Sequence, residues 1–110
     1  MVTARIYSEA GRIIGFHISG HAGKQRHGRN IVCAAVSAVA YTAIGAIDSI
    51  VREQEYTESE GELRFILRKP DDGKLLEKAY TILETMKIGL LQIQREHPGM
   101  IEVETREGMK

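Results

Sequence analysis

Apolar and polar residues alternate near both ends of the chain and step by threes and fours through two stretches between. Val2, Ala4 and Ile6 alternate with Thr3, Arg5 and Tyr7, the period of a strand with one buried face. Glu9-Ala10-Gly11 marks a turn, and Ile14, Phe16 and Ile18 then alternate with Gly15, His17 and Ser19. So short a connection predicts an antiparallel hairpin. His17 falls opposite Phe16, where a solvated strand histidine is expected. From Ile31 the spacing turns helical. Val32, Val36, Val39, Ala43, Ile47 and Ile50 form one stripe, and Asn30 is the expected N-cap. Ala34, Ala35, Ala38, Ala40 and Gly45 are small enough to let neighbouring backbones approach closely. Cys33, Ser37 and Tyr41 are spaced i, i+4, i+8 and share a face beside the stripe.

Glu53 to Glu60 reads as a third strand, ended by Gly61. Leu63, Phe65 and Leu67 alternate with Arg64, Ile66 and Arg68 as a fourth. Pro70-Asp71-Asp72-Gly73 punctuates the chain, and either aspartate can cap a helix starting there. Leu76, Ala79, Tyr80, Leu83, Met86, Leu90 and Ile93 predict that second amphipathic helix, ending near His97-Pro98-Gly99. Ile101 and Val103 alternate with Glu102 and Glu104 in a closing strand, with a frayed tail expected from Arg106. The order ββαββαβ predicts an α+β domain, a mostly antiparallel or mixed sheet with two helices packed on one face. Ile13 and Ile66 sit out of phase with their strands, and a partner copy would cover them.

Composition narrows this picture. With 110 residues, a single domain spanning 1–110 is expected. Hydrophobic residues make up 43% of it, with no Trp and two Phe, so aliphatic side chains must fill the core. Lys+Arg and Asp+Glu number 15 each, which removes any global electrostatic footprint for nucleic acid. The single cysteine rules out an intrachain disulfide and fits a reducing cytosol. The N-terminus lacks the basic and apolar segments of a signal peptide. The apolar stretch from Ile31 to Val51 is interrupted by Ser37, Thr42, Asp48 and Ser49, and reads as a buried helix and not a membrane span.

The chemistry concentrates between Gly20 and Cys33. This stretch holds the only cysteine, His21 and His27 of the four histidines, and a local excess of positive charge from Lys24, Arg26 and Arg29. A cysteine in the first turn of a helix feels the positive end of the macrodipole, which favours thiolate, as do Arg29 and a protonated His21. His21 is near enough in chain to act as the base of a Cys–His pair, and N–H groups at the helix start offer an oxyanion hole. Three other readings remain open on the residues alone. Cys33 can be a half-buried small hydrophobe. His21, His27 and Cys33 can bind a metal, although their six-residue spacing matches no common zinc pattern. The basic, glycine-containing loop can bind an anion or RNA, although it lacks the spacing of a Walker or dinucleotide motif.

Taken together, Gly20-His21-Ala22 and Ile31-Val32-Cys33-Ala34-Ala35-Val36-Ser37 resemble the ribosomal-processing cysteine protease family, Prp, of Firmicutes and related bacteria. The resemblance covers the whole chain in length and element order. It implies a cytoplasmic, homodimeric cysteine endopeptidase, needing no cofactor or metal, that removes the N-terminal extension of ribosomal protein L twenty-seven. By motif position Cys33 is the nucleophile and His21 the general base, with Gly20 in the histidine motif. Ser37 falls on the family's serine one turn beyond the cysteine. The family usually carries Asp three residues before the cysteine, where this chain has Asn30. Asn can orient a histidine but cannot stabilise imidazolium by charge. Neither a membrane nor direct nucleic-acid binding is expected; the rival reading is a non-catalytic ribosome- or RNA-binding module using the same basic loop.

Overall fold

The computed structural model describes residues 1–20 and 27–108, and of 27–30 the backbone alone. Seven elements run in order: β1 (Val2–Glu9), β2 (Arg12–Ser19), α1 (His27–Ile50), β3 (Tyr56–Ser59), β4 (Glu62–Ile66), α2 (Gly73–Glu96) and β5 (Ile101–Glu107). The strands form one five-stranded sheet in the order β3-β4-β2-β1-β5. β1 pairs antiparallel with β2 and parallel with β5, and β4 pairs antiparallel with both β2 and β3. The sheet is mixed because a strand reached through a helical crossover can lie parallel, whereas tight hairpins impose antiparallel pairing.

The alternation read from the sequence places the core. Val2, Ala4, Ile6, Phe16, Ile18, Leu63 and Phe65 are all buried, on the sheet face that meets the helices. Phe16 and Phe65 oppose each other with ring centroids 5.6 Å apart. From α1 come Val32, Val36, Ala40, Ala43 and Ile47, and from α2 Ala79, Leu83, Met86 and Leu90. The helices touch each other where Gly89 lies against Val39; a Cβ on Gly89 would sit 3.3 Å from a Val39 methyl. Within α1, Ile31–Ile50 is long and apolar enough to cross a membrane by length and composition, but here its stripe is buried against the sheet.

On the other face Arg5 pairs with Glu104 at 3.0 Å and His17 Nε2 lies 2.8 Å from Glu62 Oε1. His17 is therefore a paired and largely covered side chain, not a solvated one. Tyr7 shares this face yet is only 2% exposed. Its partner in β2 is Gly15, which has no side chain, so the ring spans β2 and its hydroxyl reaches Arg64 Nη2 at 3.5 Å on β4. A Cβ on Gly15 would lie 2.4 Å from the Phe65 carbonyl oxygen and 2.8 Å from Ile66 Cδ1. Ile66 thus packs over the glycine. An irregularity after Tyr7 sets Ile13 opposite Ser8, and both Ile13 and Ile14 are buried. The out-of-phase Ile13 is covered within the chain and Ile66 is half-buried, so neither calls for a partner.

Several boundaries differ from expectation; β4, read through Arg68, ends at Ile66. α1 begins at His27, four residues before Ile31, so Asn30 lies in its first turn and is not the N-cap. β3 starts at Tyr56 and not Glu53, because Glu53 takes a φ of +68°. There the Gln54 side chain stands in for a strand partner, donating to the Arg68 carbonyl and accepting the Arg68 N–H, both at 2.9 Å. β5 continues through Glu107 instead of fraying from Arg106. Glu107 accepts from the Ala10 N–H and the Ser8 hydroxyl, and Gly108 donates to the Ser8 carbonyl.

Candidate functional site

Cys33 is a free, half-buried thiol on α1 that packs at the margin of the core. Since α1 starts at His27, Cys33 is the seventh helical residue and lies in the second turn, not the first. The helix's unbonded N–H groups belong to its first four residues, 27–30, and the macrodipole's effect falls off within the first turn. The first turn of α1 contains no acidic residue, so no carboxylate there opposes a thiolate.

Ser37 is half-buried and lies one turn beyond Cys33 on the same face. The next residue along that face, Tyr41, is exposed at 37%. Its hydroxyl donates to Glu58 on β3, and its ring stands edge-on to Tyr56 with centroids 5.7 Å apart. The hydrogen bond to Glu58, followed by desolvation and the charge of Glu58, pushes the Tyr41 hydroxyl up to about 12. Helical spacing places Tyr41 on the cysteine's face, but sequence reasoning missed Tyr56 and Glu58. Their alternation with Thr57 was the available signal, since it sets both on one face of β3.

Gly20 follows β2 directly before His21, and its geometry is strict. Its φ is +82°, and a Cβ there would sit 2.5 Å from the Met1 carbonyl oxygen. Its N–H donates to the Gly61 carbonyl at 2.9 Å. Glycine is required here by conformation and by close approach, and proline would lose both the donor and the φ. His21, expected as the base, lies outside the described residues, as do Lys24, Arg26 and the side chains of His27, Arg29 and Asn30. His17 lies on the sheet face away from the helices and is engaged with Glu62, so it does not join Cys33. Among the described residues no three His, Cys, Asp or Glu side chains converge on a point where a metal could sit.

Cys33 thus lies at the edge of the core, on a helix face that leads through Ser37 to Tyr41 beside β3. Residues 1–102 match the family model for cysteine protease Prp. The chain is similar to the ribosomal processing cysteine protease Prp of Bacillus subtilis, at 29% identity over 96 residues, covering 84% of this chain and 86% of that protein. It is 31% identical over 101 residues to the Staphylococcus aureus protein of the same name, covering 88% of this chain and 92% of the relative. Its fold resembles the S. aureus Prp crystal structure in complex with a substrate peptide, with a TM-score of 0.83 at 24% identity, covering 96% of this chain and all of the other. The S. aureus structure with a covalently linked product peptide gives a TM-score of 0.79 at 25% identity over the same share of this chain.

Proposed function

Because this chain belongs to the Prp family of cysteine proteases, we propose that it is the endopeptidase that removes the N-terminal extension of ribosomal protein L twenty-seven, with Cys33 as nucleophile and His21 as general base. The observation that carries this reading is the position of Cys33: a free thiol, half-buried, on a helix face that stays accessible through Ser37 and Tyr41. The S. aureus relatives bear the name of a ribosomal processing protease, and one is seen with a substrate peptide.

The chemistry is that of the dyad. His21 takes the thiol proton, and the Cys33 sulfur attacks the scissile carbonyl carbon. The tetrahedral intermediate collapses as the imidazolium gives its proton to the leaving amine, which frees the downstream chain and leaves a thioester. Water then attacks the thioester while the imidazole takes its proton, and the acid product leaves as the proton returns to sulfur. Asn30, in the first turn, orients His21 in the place where the family usually has Asp. Ser37 supports the thiol from one turn beyond.

A cytoplasmic homodimer belongs to the same proposal. The outer face between α1 and α2 supports it: a groove of about 660 Å³ lined by Ala38, Val39, Ala46, Ile82 and Ile88. Ile88 and Leu91 are exposed at 55% and 39% beside it. Light scattering at micromolar protein is expected to give twice the chain mass, and a monomer mass would remove the dimer from the proposal.

The test of function is incubation with full-length ribosomal protein L twenty-seven from the same organism, followed by intact mass measurement. One cleavage near the N-terminus is expected, lost in Cys33→Ser and in His21→Ala. An uncut substrate, or cutting that survives Cys33→Ser, would refute the reading.

A further inference from the structure

β3 is an edge strand, with β4 on one side and, among the described residues, no strand on the other. Its four residues are all exposed. In a hairpin closed by two residues, Ser59–Glu62 and Thr57–Arg64 are the hydrogen-bonded pairs, so Tyr56 and Glu58 turn their N–H and C=O groups outward. Such an edge is a ready template for another strand. Natural edges are commonly blunted by lysine or proline, and β3 carries neither.

This edge also leads to the proposed site. At one end Tyr56 and Glu58 touch Tyr41, on the helix face that carries Cys33. At the other end the Gly61 carbonyl accepts the Gly20 N–H, immediately before His21. Tyr41 lies eight residues beyond Cys33, about 12 Å along the helix axis. An extended peptide covers that length in about three or four residues.

The charge beside the edge is acidic in balance. Glu53, Glu55, Glu58, Glu60 and Glu62 are all exposed, against Arg52 in the same stretch and Arg64 and Arg68 in the neighbouring segment, of which Arg64 lies opposite Thr57 and Arg68 bonds the Glu53 carbonyl. Two tyrosine rings at an edge-on angle next to a carboxylate make a cradle suited to a Lys or Arg side chain, through cation–π contact and ion pairing.

Resting on the protease reading above, we propose that the outer edge of β3, with the Tyr41–Tyr56 ring pair and the Glu58 carboxylate, is a subsite. It takes the substrate as an added strand and holds a cationic side chain about three or four residues from the scissile bond. Charge complementarity and continuity with the Cys33 helix face single out a basic segment of the substrate as the occupant.

The probe is a peptide spanning the extension junction of ribosomal protein L twenty-seven, made neutral and then given one Lys at each position in turn. Binding to the Cys33→Ala protein is read by fluorescence anisotropy and by amide shifts. Affinity is expected to peak with Lys three or four residues from the junction, with the shifts centred on Tyr56 and Glu58. Glu58→Gln, which keeps a partner for Tyr41, is expected to weaken that peptide about three- to tenfold at low salt and leave the neutral peptide unchanged, because the two changes share one interaction. A flat Lys scan, equal losses for both peptides, or shifts elsewhere on the protein would overturn the subsite. Wild-type protein that fails to cleave a peptide bound at β3 would refute the protease reading and leave the subsite standing. Cleavage indifferent to Lys position and to Glu58→Gln would do the reverse.

Discussion

α1 and α2 have the same length, 24 residues each, and are built differently. α2 follows the rules for a self-sufficient amphipathic helix. Asp72 caps it, accepting from the N–H groups of Lys74 and Leu75 at 2.8 and 3.1 Å. Arg95 stands in its last turn, and the His97 N–H bonds back to the Ile93 carbonyl. α1 has no acid in its first turn and no base in its last. It relies on small side chains and on burial of its apolar stripe. The difference teaches where stability and chemistry are kept apart. An acid in the first turn of α1, at Asn30, would by contrast lie three residues before the cysteine and on a neighbouring position of the helix surface. α1 forgoes that stabilisation on the side where the proposed dyad lies.

Breaking each helix at its own strength should therefore give opposite phenotypes. Cys33→Ala is expected to lower the proposed cleavage of ribosomal protein L twenty-seven by at least about a thousandfold, since members of a catalytic unit, as proposed for Cys33 and His21, do not act additively. The same change should cost only about 1 kcal/mol of stability, because the thiol is half-buried and small. Intact mass and thermal unfolding on one sample check both halves. Leu83→Ala, at a fully buried position of α2, should do the converse. It should lose about 2–5 kcal/mol of stability in denaturant unfolding while the remaining folded protein keeps its turnover. Turnover that falls with Leu83→Ala out of proportion to the folded fraction would blur the division between the helices.

Smaller changes sharpen it. Asp72→Ala removes an observed cap and should cost about 1 kcal/mol. Asn30→Asp gives α1 the acid it lacks. It should raise stability by about 0.3–1 kcal/mol, and because an acid beside the proposed dyad alters its field, the pH–rate profile should change as well. An unchanged profile would mean that the first turn does not influence Cys33. The smallest effect lies on Tyr41, whose hydroxyl is held up to about 12 chiefly by Glu58. Its folded pKa lies above the unfolded one. The contact to Glu58 is therefore complete below about pH 10 and is lost as pH rises through the folded value. Ultraviolet titration should show Tyr41 ionising late, and earlier in Glu58→Gln, which keeps an acceptor but removes the charge.

Much of the fold is written in the chain. The period-2 and period-3.6 patterns mark five strands and two helices in their true order, and Asp72 announces the start of α2 by a side chain that caps locally. Such signals are legible because one residue and its near neighbours decide them. Boundaries set by distant partners are not. β3 is short because Gln54 pairs with Arg68, and β5 is long because Glu107 meets Ser8 and Ala10. The residues Cys33, Ser37 and Tyr41 can be placed on one helix face from spacing alone, and the motifs around His21 and Cys33 carry the family. Which turn of α1 holds the cysteine is not legible, because Asn30 is a good cap by type and nothing local says that the helix starts earlier.

By itself the sequence determined the element order, the buried face of β1, β2, β4 and β5, the stripe of each helix and the residue types available for chemistry, since all of these come from periodicity and side-chain character. Only the tertiary structure decided that Tyr7 is buried over Gly15, that Ile13 needs no partner, that Gly20 admits no side chain beside Met1, and that Tyr41 meets Tyr56 and Glu58 at a free sheet edge. Each of these depends on which residues from separate elements come within a few ångströms of one another. Local pattern holds no information about such meetings until the sheet register and the helix packing have fixed them.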